Sequence, residues 1–182
     1  MKNKTVKEKE IEVFEKMKGD FGYKNAMAAP KMKKAVLNTG TGTAVKKDKN
    51  KNEAIAERLA KITGQKPATR GAKKSVASFK IRQGDPIGIV ATLRGKRMYA
   101  FLEKLLNVAI PRTKDFRGIN RNAVDNAGNL TIGIKEHTIF PETADEDIKD
   151  VFGLSITLVS TAKNKKEGLA FFELLGVPFK KE

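Results

Sequence analysis

The sequence predicts an α+β fold: a single domain over residues 1–182, with a largely antiparallel sheet and a long projecting basic loop. Some segments alternate apolar and polar residues with the period of a strand, and others repeat apolar residues with the period of a helix. The two kinds are mixed along the chain without the strict strand–helix alternation that is typical of parallel sheets. A chain of 182 residues, 40% of them apolar, can also bury one substantial core.

The first third of the chain contains a helix, a strand and a second helix. Apolar residues recur near helical spacing over residues 6–19, which predicts an exposed amphipathic helix within residues 1–20. Residues 34–38 predict a short strand, and the glycines of the Thr39–Thr43 segment end it. A lysine-rich polar link over residues 46–51 leads to a helix over residues 52–63 with one apolar face.

The middle of the chain combines a basic loop with a regular strand. Residues 66–86 offer little that could be buried, so we expect a loop or hairpin there, projecting over residues 70–86. Residues 87–94 alternate cleanly, which places Thr92 and Arg94 on the side opposite the apolar residues. Further periodicity predicts a helix over residues 96–110 and two strands, at residues 130–134 and 154–158. It also predicts a closing helix that contains Leu169, Phe172 and Leu175 and is ended by Gly176.

Charge is distributed very unevenly along the sequence. The formal net charge is +16, from 37 Lys and Arg against 21 Asp and Glu. Residues 1–121 contain 30 of these cations and only 11 acids, whereas residues 122–182 contain 7 cations and 10 acids. Because such a surplus repels itself in the folded state, the first two-thirds of the chain are expected to meet a polyanion.

The composition argues against an enzyme. With no cysteine and one histidine, the chain lacks thiolate zinc sites, cysteine nucleophiles and most histidine chemistry. Gly40 and Gly42 lack the third glycine of a dinucleotide fingerprint. We interpret His137 as an ordinary surface or edge histidine, and Asp145–Asp147 as acids that open a helix rather than a metal cluster. No cofactor, metal or membrane partner is expected, and the protein is expected to be cytoplasmic.

The basic segments have a composition suited to RNA. Residues 66–82 carry six cations and no acid, together with Gln65 just before them, serines, glycines and Phe79. Cations bind phosphates, amides and hydroxyls contact ribose and base edges, and aromatic rings stack on exposed bases. A solvated lysine-rich surface explains this mixture less well. A non-ribosomal RNA chaperone or regulator would carry the same charge and is kept as the alternative.

A set of ordered motifs resembles the bacterial family of large-ribosomal-subunit protein number five, which binds 5S rRNA. The resemblance covers roughly residues 21–179. Its matches include Phe21–Asn25, Val36–Asn38, Gly64–Pro67, Ala72–Arg82, Thr92–Gly95, Asp115–Gly118 and Ile139–Glu142, and their specificity comes from the ordered set rather than from any one of them. Two positions depart from the family pattern: Arg70-Gly71 replaces a hydroxyl residue and a cation, and Asp125–Gly128 lacks an arginine.

The resemblance implies that helices are packed on one face of the sheet and that the other face meets 5S rRNA. It also implies a structural, non-enzymatic constituent of the large ribosomal subunit. Such a protein helps attach 5S rRNA in the central protuberance and sends a basic loop toward the elbow of the P-site tRNA. It implies as partners 5S rRNA, 23S rRNA, P-site tRNA, neighbouring central-protuberance proteins and small-subunit head protein number thirteen.

The same resemblance implies three groups of contact residues. The first is the set expected to bind 5S rRNA: Asn25, Lys31, Lys33, Asn38, Gln65, Lys66, Thr92 and Arg94. The second is the tRNA-contacting loop: Lys73, Lys74, Ser75, Ser78, Phe79, Lys80 and Arg82. The third is a small-subunit bridge: Arg112, Lys114 and Arg117.

Overall fold

The computed structural model describes residues 4–42, 51–114, 116–144 and 151–180. Its strands are β1 (Met32–Gly40), β2 (Ala68–Gly71), β3 (Pro86–Leu93), β4 (Leu130–Ile134) and β5 (Leu154–Ser160). Its α-helices are α1 (Val6–Phe21), α2 (Lys51–Thr63), α3 (Gly95–Lys104) and α4 (Lys165–Leu175). The strands form one antiparallel sheet in the order β2-β3-β1-β5-β4, which confirms the predicted α+β class.

The chain divides into two compact units. The first comprises Met1–Ala35, Leu93–Ile132 and Thr157–Glu182, and the second comprises Val36–Thr92 and Gly133–Ile156. The single-domain organisation expected from the sequence stays a prediction. Across the described ranges, no helix is both long and apolar enough to cross a membrane.

In the first unit, α1 is defined at both ends by its own sequence. The Thr5 hydroxyl accepts a hydrogen bond from the Glu8 backbone N–H, and the Glu8 carboxylate accepts one from the Thr5 N–H, which forms a capping box. Gly22 ends the helix in the left-handed region with φ of 65°. The apolar side chains Val6, Val13 and Met17 are buried, so the predicted amphipathic helix is confirmed and its apolar face is not exposed.

The closing helix α4 packs on α1 and supplies the largest buried side chains of this unit. Phe171 and Phe172 are fully buried, with their ring centroids 5.4 Å apart. The Asn164 side chain caps the start of the helix, and Lys9 on α1 donates to the carbonyl of Leu175 at its end. The predicted closing helix is confirmed, and it begins four residues before Leu169, where Asn164 and Glu167 form its polar N-terminus.

Two glycines in the helices of this unit have opposite surroundings. A Cβ at Gly168 on α4 would lie 2.6 Å from the Gly128 Cα, whereas a Cβ at Gly19 on α1 would meet nothing within 4 Å. We expect Gly168→Ala to lower the free energy of unfolding by about 1–3 kcal/mol through this clash. Gly19→Ala should raise it by up to about 1 kcal/mol, because alanine favours the helix. Urea unfolding of both variants tests the contrast, and a stabilising Gly168→Ala would contradict the close helix–turn contact.

In the second unit, β2 and β3 form an antiparallel hairpin. Ala68 pairs with Val90, Thr69 with Ile89 and Arg70 with Gly88, and the register shifts between Arg70 and Gly71. Along β3, the alternation predicted from the sequence is present: Ile89 is buried, while Thr92 is partly exposed on the other side. Strand β2 was not predicted because its four residues are all exposed and carry no alternating apolar pattern.

Two local features differ from the sequence-based predictions. His137 is fully buried, so the interpretation as a surface or edge histidine is wrong. Its ring stacks on Phe152 with centroids 4.1 Å apart, and its Nδ1 accepts a hydrogen bond from the Phe152 N–H. The predicted helix 96–110 is α-helical only to Lys104 and continues as a π-helical turn over Leu105–Ala109. The acidic segment 145–147 and most of the lysine link lie outside the described residues.

Candidate nucleic-acid interface

In the second unit, the sheet has one apolar face and one polar face. The side chains of Leu37 and Ile89 are buried on the apolar side. Asn38 and Thr92 follow the opposite phase of the same strands, and Asn38 is exposed while Thr92 is partly exposed. We call the side that carries Asn38 and Thr92 the polar face. In the described part of the chain, neither the Asn38 amide nor the Thr92 hydroxyl hydrogen-bonds to another protein group.

Gln65 is positioned beside Thr92 by the end of α2. Gly64 adopts a left-handed conformation with φ of 67°, and its N–H donates to the Ala60 carbonyl. The chain therefore turns sharply at Gly64. The Gln65 amide nitrogen then donates to the Thr92 carbonyl over 3.0 Å. The structure thus brings two of the predicted polar contacts together, and the Gln65 amide oxygen and the Thr92 hydroxyl retain their capacity to bind a partner.

Two further residues of the polar face were not among the predicted contacts. The Ser155 hydroxyl on β5 lies 3.4 Å from the Asn38 carbonyl oxygen, which places a second hydroxyl near Asn38. Arg70 on β2 lies opposite Gly88, in phase with Val90 and Thr92 on β3. The alternation of β5 could have predicted that Ser155 lies on the polar face, because Ser155 falls between the buried residues Leu154 and Ile156.

The remaining predicted 5S rRNA contacts are exposed cations and one amide. Lys66 belongs to the second unit and directly follows Gln65. In the first unit, Asn25 precedes a short 3₁₀ turn, Lys33 lies on β1, and Arg94 precedes α3. The Lys31 backbone N–H donates to the Thr161 hydroxyl, which fixes the start of β1. Each of these side chains is exposed on the surface of the unit to which it belongs.

The predicted tRNA loop is an ordered hairpin tip in the second unit. Its base is closed by hydrogen bonds from the Ala72 N–H to the Asp85 carbonyl and from the Gly84 N–H to the Ala72 carbonyl. Nearer the tip, Val76 and Ile81 exchange two backbone hydrogen bonds of 2.9 and 3.2 Å. Lys80 follows a 3₁₀ turn with φ of 49°, and no other non-glycine residue of the described ranges has a positive φ. The backbone therefore holds this lysine in a sterically unfavourable conformation.

The side chains of this loop are mostly exposed, and one of them also supports the hairpin. The Ser75 hydroxyl accepts a hydrogen bond from the Gln83 N–H, so Ser75 stabilises the hairpin. Residues 73–80 and 82 are all exposed, and Phe79 keeps 63% of its surface accessible. Within the described residues, the loop cations form no ion pair: Lys73, Lys74, Lys80 and Arg82. The loop therefore presents uncompensated positive charge beside an aromatic ring.

The three cations of the predicted small-subunit bridge lie in one segment of the first unit. Arg112, Lys114 and Arg117 are exposed, and Asp115 between them lies outside the described residues. The segment is followed by Gly118, whose φ is 95° and whose Cβ, if present, would lie 2.7 Å from the Lys180 nitrogen. The Ile119 N–H donates to the Pro178 carbonyl, so the C-terminal residues support this end of the segment.

Titratable groups with altered pKa values lie outside these predicted contacts. Burial and a hydrogen bond to Glu10 raise the pKa of Tyr99 to about 12. Burial and a hydrogen bond to Glu167 likewise raise the pKa of Tyr23. Both phenols therefore remain neutral donors at physiological pH. Tyr99 connects α3 to Glu10 on α1, and Tyr23, which follows α1, is connected to Glu167 on α4. In the described ranges, no group of three acids or histidines could hold a metal ion.

Comparisons with known proteins give one consistent result. The family model for ribosomal protein L5 matches residues 25–82, and a second model, for the C-terminus of the same ribosomal family, matches residues 86–179. The chain is 52% identical to large ribosomal subunit protein uL5 of Desulfatibacillum aliphaticivorans, over 91% of this chain and 92% of that protein. It is 50% identical to the protein of the same name from Dictyoglomus turgidum, over 93% and 94% of the two chains.

These matches cover both the polar face and the basic loop. The N-terminal family match contains Asn38, Gln65 and residues 73–82, and the C-terminal match contains Thr92 and residues 112–117. Two family models and several relatives at about half identity agree over almost the whole chain. The chain belongs to the ribosomal protein L5 family, a family of structural, non-enzymatic ribosomal proteins.

Proposed function

We propose that this protein is a structural component of the large ribosomal subunit that binds 5S rRNA through the polar face and helps attach that RNA to the central protuberance. It works in the cytoplasm, as part of the ribosome. The observation that carries the proposal is the pairing of an exposed Asn38 amide with an available Thr92 hydroxyl on the sheet, with Gln65 held beside Thr92. Amides and hydroxyls can hydrogen-bond both base edges and ribose hydroxyl groups.

Cations near these polar groups supply the affinity. Lys66 follows Gln65 in sequence, and Arg94 follows Thr92 after one residue. Contacts from lysine and arginine to phosphates carry little sequence information, whereas directional hydrogen bonds from amides and hydroxyls discriminate one RNA from another. Asn38, Gln65 and Thr92 therefore give specificity, and the neighbouring cations, with Asn25, Lys31 and Lys33, strengthen and orient the complex.

The basic loop over residues 73–82 contacts the P-site tRNA. Its four cations have no acidic partner within the described residues, and the exposed Phe79 ring can pack on a ribose or base. The loop is closed by its own backbone hydrogen bonds, so it can present these groups without contributing to the core. The segment with Arg112, Lys114 and Arg117 contacts small-subunit head protein number thirteen, and other surfaces contact 23S rRNA and neighbouring proteins of the central protuberance.

Removing the Asn38 amide is expected to weaken 5S rRNA binding by about 5- to 150-fold, because an unsatisfied RNA partner costs roughly 1–3 kcal/mol. Asn38→Ala and Thr92→Ala should leave the dependence on salt unchanged, since neither side chain carries charge. Arg94→Ala should instead reduce that dependence if Arg94 contacts a phosphate. Filter-binding or fluorescence titrations at several salt concentrations separate the two effects.

Asn107→Ala is a matched control, because it removes an exposed amide from the π-helical turn outside the proposed site. It should bind 5S rRNA like the wild-type chain. Gln65→Ala tests RNA recognition less directly, because it also removes the hydrogen bond to the Thr92 carbonyl. It should lower the free energy of unfolding by about 1 kcal/mol. Wild-type affinity in both Asn38→Ala and Thr92→Ala would reject the polar face as the specificity site.

A further inference from the structure

Arg70 lies at the outer edge of the polar face. Strand β2 is the terminal strand of the sheet, and Arg70 is directly opposite Gly88 on β3. Cross-strand partners in an antiparallel pair point to the same side, so the Arg70 side chain lies in phase with Val90 and Thr92. Consistent with this, a Cβ built on Gly88 would be 4.0 Å from the Arg70 Cβ.

The surroundings of Arg70 leave its guanidinium group available to a ligand. The residue is exposed, and in the described ranges it forms neither an ion pair nor a side-chain hydrogen bond. Its cross-strand neighbour has no side chain, so no group on Gly88 competes for the space above the sheet. Strand β3, which follows β2 in the sheet, also carries Thr92 on this side.

We propose that Arg70 is a further RNA-contacting residue of this chain, which binds a backbone phosphate at the outer edge of the polar face. The proposal rests on the function proposed above and adds a cation that anchors the RNA beside the amides and hydroxyls. Arginine suits this position because its planar fork of donors can hold two phosphate oxygens at once. The uncharged neighbours on β2, Ala68, Thr69 and Gly71, offer no such group.

The test compares three variants of the full chain in 5S rRNA titrations between about 50 and 300 mM salt. Arg70→Ala should weaken binding about ten-fold at about 100 mM salt and lower the slope of log affinity against log salt by about 0.9, the value for one lost phosphate contact. Arg70→Lys should keep the slope but lose part of the affinity, because it keeps the charge and lacks the fork. Lys135→Ala removes one positive charge at an exposed position directly after β4, outside the proposed contacts, and should leave 5S rRNA binding within about two-fold of wild type.

The results distinguish this inference from the proposed function. If the affinity of the wild-type chain for 5S rRNA falls steeply with salt, and Arg70→Ala has the same affinity and the same salt slope, the Arg70 contact is wrong while the proposed function stands. Equal losses of 5S rRNA affinity in Arg70→Ala and Lys135→Ala would also overturn the contact, because they would reflect net charge alone. If wild type shows no preference for 5S rRNA, both proposals fail. Thermal unfolding of Arg70→Ala should match wild type, since the exposed side chain makes no stabilising contact within the described residues.

Discussion

Binding to 5S rRNA is expected to weaken by about 10³–10⁵-fold when the salt concentration rises from about 50 to 200 mM, if the chain neutralises about six to ten phosphates. The physical reason is the release of counterions from the RNA when lysine and arginine replace them. The chain has the charge for this effect, because residues 1–121 carry 30 Lys and Arg against 11 Asp and Glu. Titrations at four or more salt concentrations give the slope directly.

A control RNA of the same length as 5S rRNA separates the contribution of charge to the binding affinity from that of specific recognition. An unrelated RNA should show a similar slope but a lower affinity at every salt concentration, because it gains the phosphate contacts without the directional ones. A flat response with 5S rRNA would mean that the basic surface is not the RNA-binding surface. Equal affinity for the two RNAs would mean that the polar face does not provide specificity.

Replacing residues 73–82 with a short Gly-Ser turn is expected to abolish the tRNA contact while preserving the fold and 5S rRNA binding. The replacement removes four cations, so the salt slope for tRNA binding should fall by about three to four. The fold should survive because residues 73–80 and 82 are exposed, and the hydrogen bonds that join Ala72 to Gly84 and Ala72 to Asp85 lie outside the deleted segment. Thermal unfolding, 5S rRNA titration and tRNA retention by reconstituted ribosomes form the set of measurements.

A milder variant tests the charge of the loop without changing its length. Substituting glutamine for its four cations keeps the Val76–Ile81 hydrogen bonds and the Ser75–Gln83 hydrogen bond that shape the hairpin. Ribosomes with this glutamine variant should lose tRNA retention to nearly the same extent as ribosomes with the Gly-Ser replacement. Loss of 5S rRNA binding in either variant would show that the loop belongs to the 5S site, and unchanged translation would show that it has no tRNA role.

The sequence predicted most of the elements because their periodicity is strong. Alternation identified β3 and its polar side, and a repeated apolar stripe identified α2, whose Ile55, Leu59 and Ile62 are buried. Where that signal is absent, the sequence predicted only a loop or hairpin and did not identify the strand within it. Strand β2 has four exposed residues and depends on its hydrogen bonds to β3 rather than on an apolar face of its own.

The candidate site was predicted residue by residue from the family resemblance, and its geometry required the structure. The sequence does not show that the Gln65 amide nitrogen donates to the Thr92 carbonyl, because that contact depends on the turn at Gly64. It does not show that Arg70 shares the polar face, because this depends on the register of β2 against β3. His137 is a further example: its burial follows from stacking on Phe152, which lies 15 residues away in sequence.

The central claim is that the polar face meets 5S rRNA and the basic loop meets tRNA. The chain has no cysteine, so a single introduced cysteine carries the only site for a tethered RNA-cleaving probe. Ser155→Cys places the probe near the Asn38 carbonyl, and Ser78→Cys places it on the exposed loop beside Phe79. In ribosomes with P-site tRNA, we predict cleavage of 5S rRNA from position 155 and of tRNA from position 78. Cleavage of tRNA but not 5S rRNA from position 155 would contradict the claim.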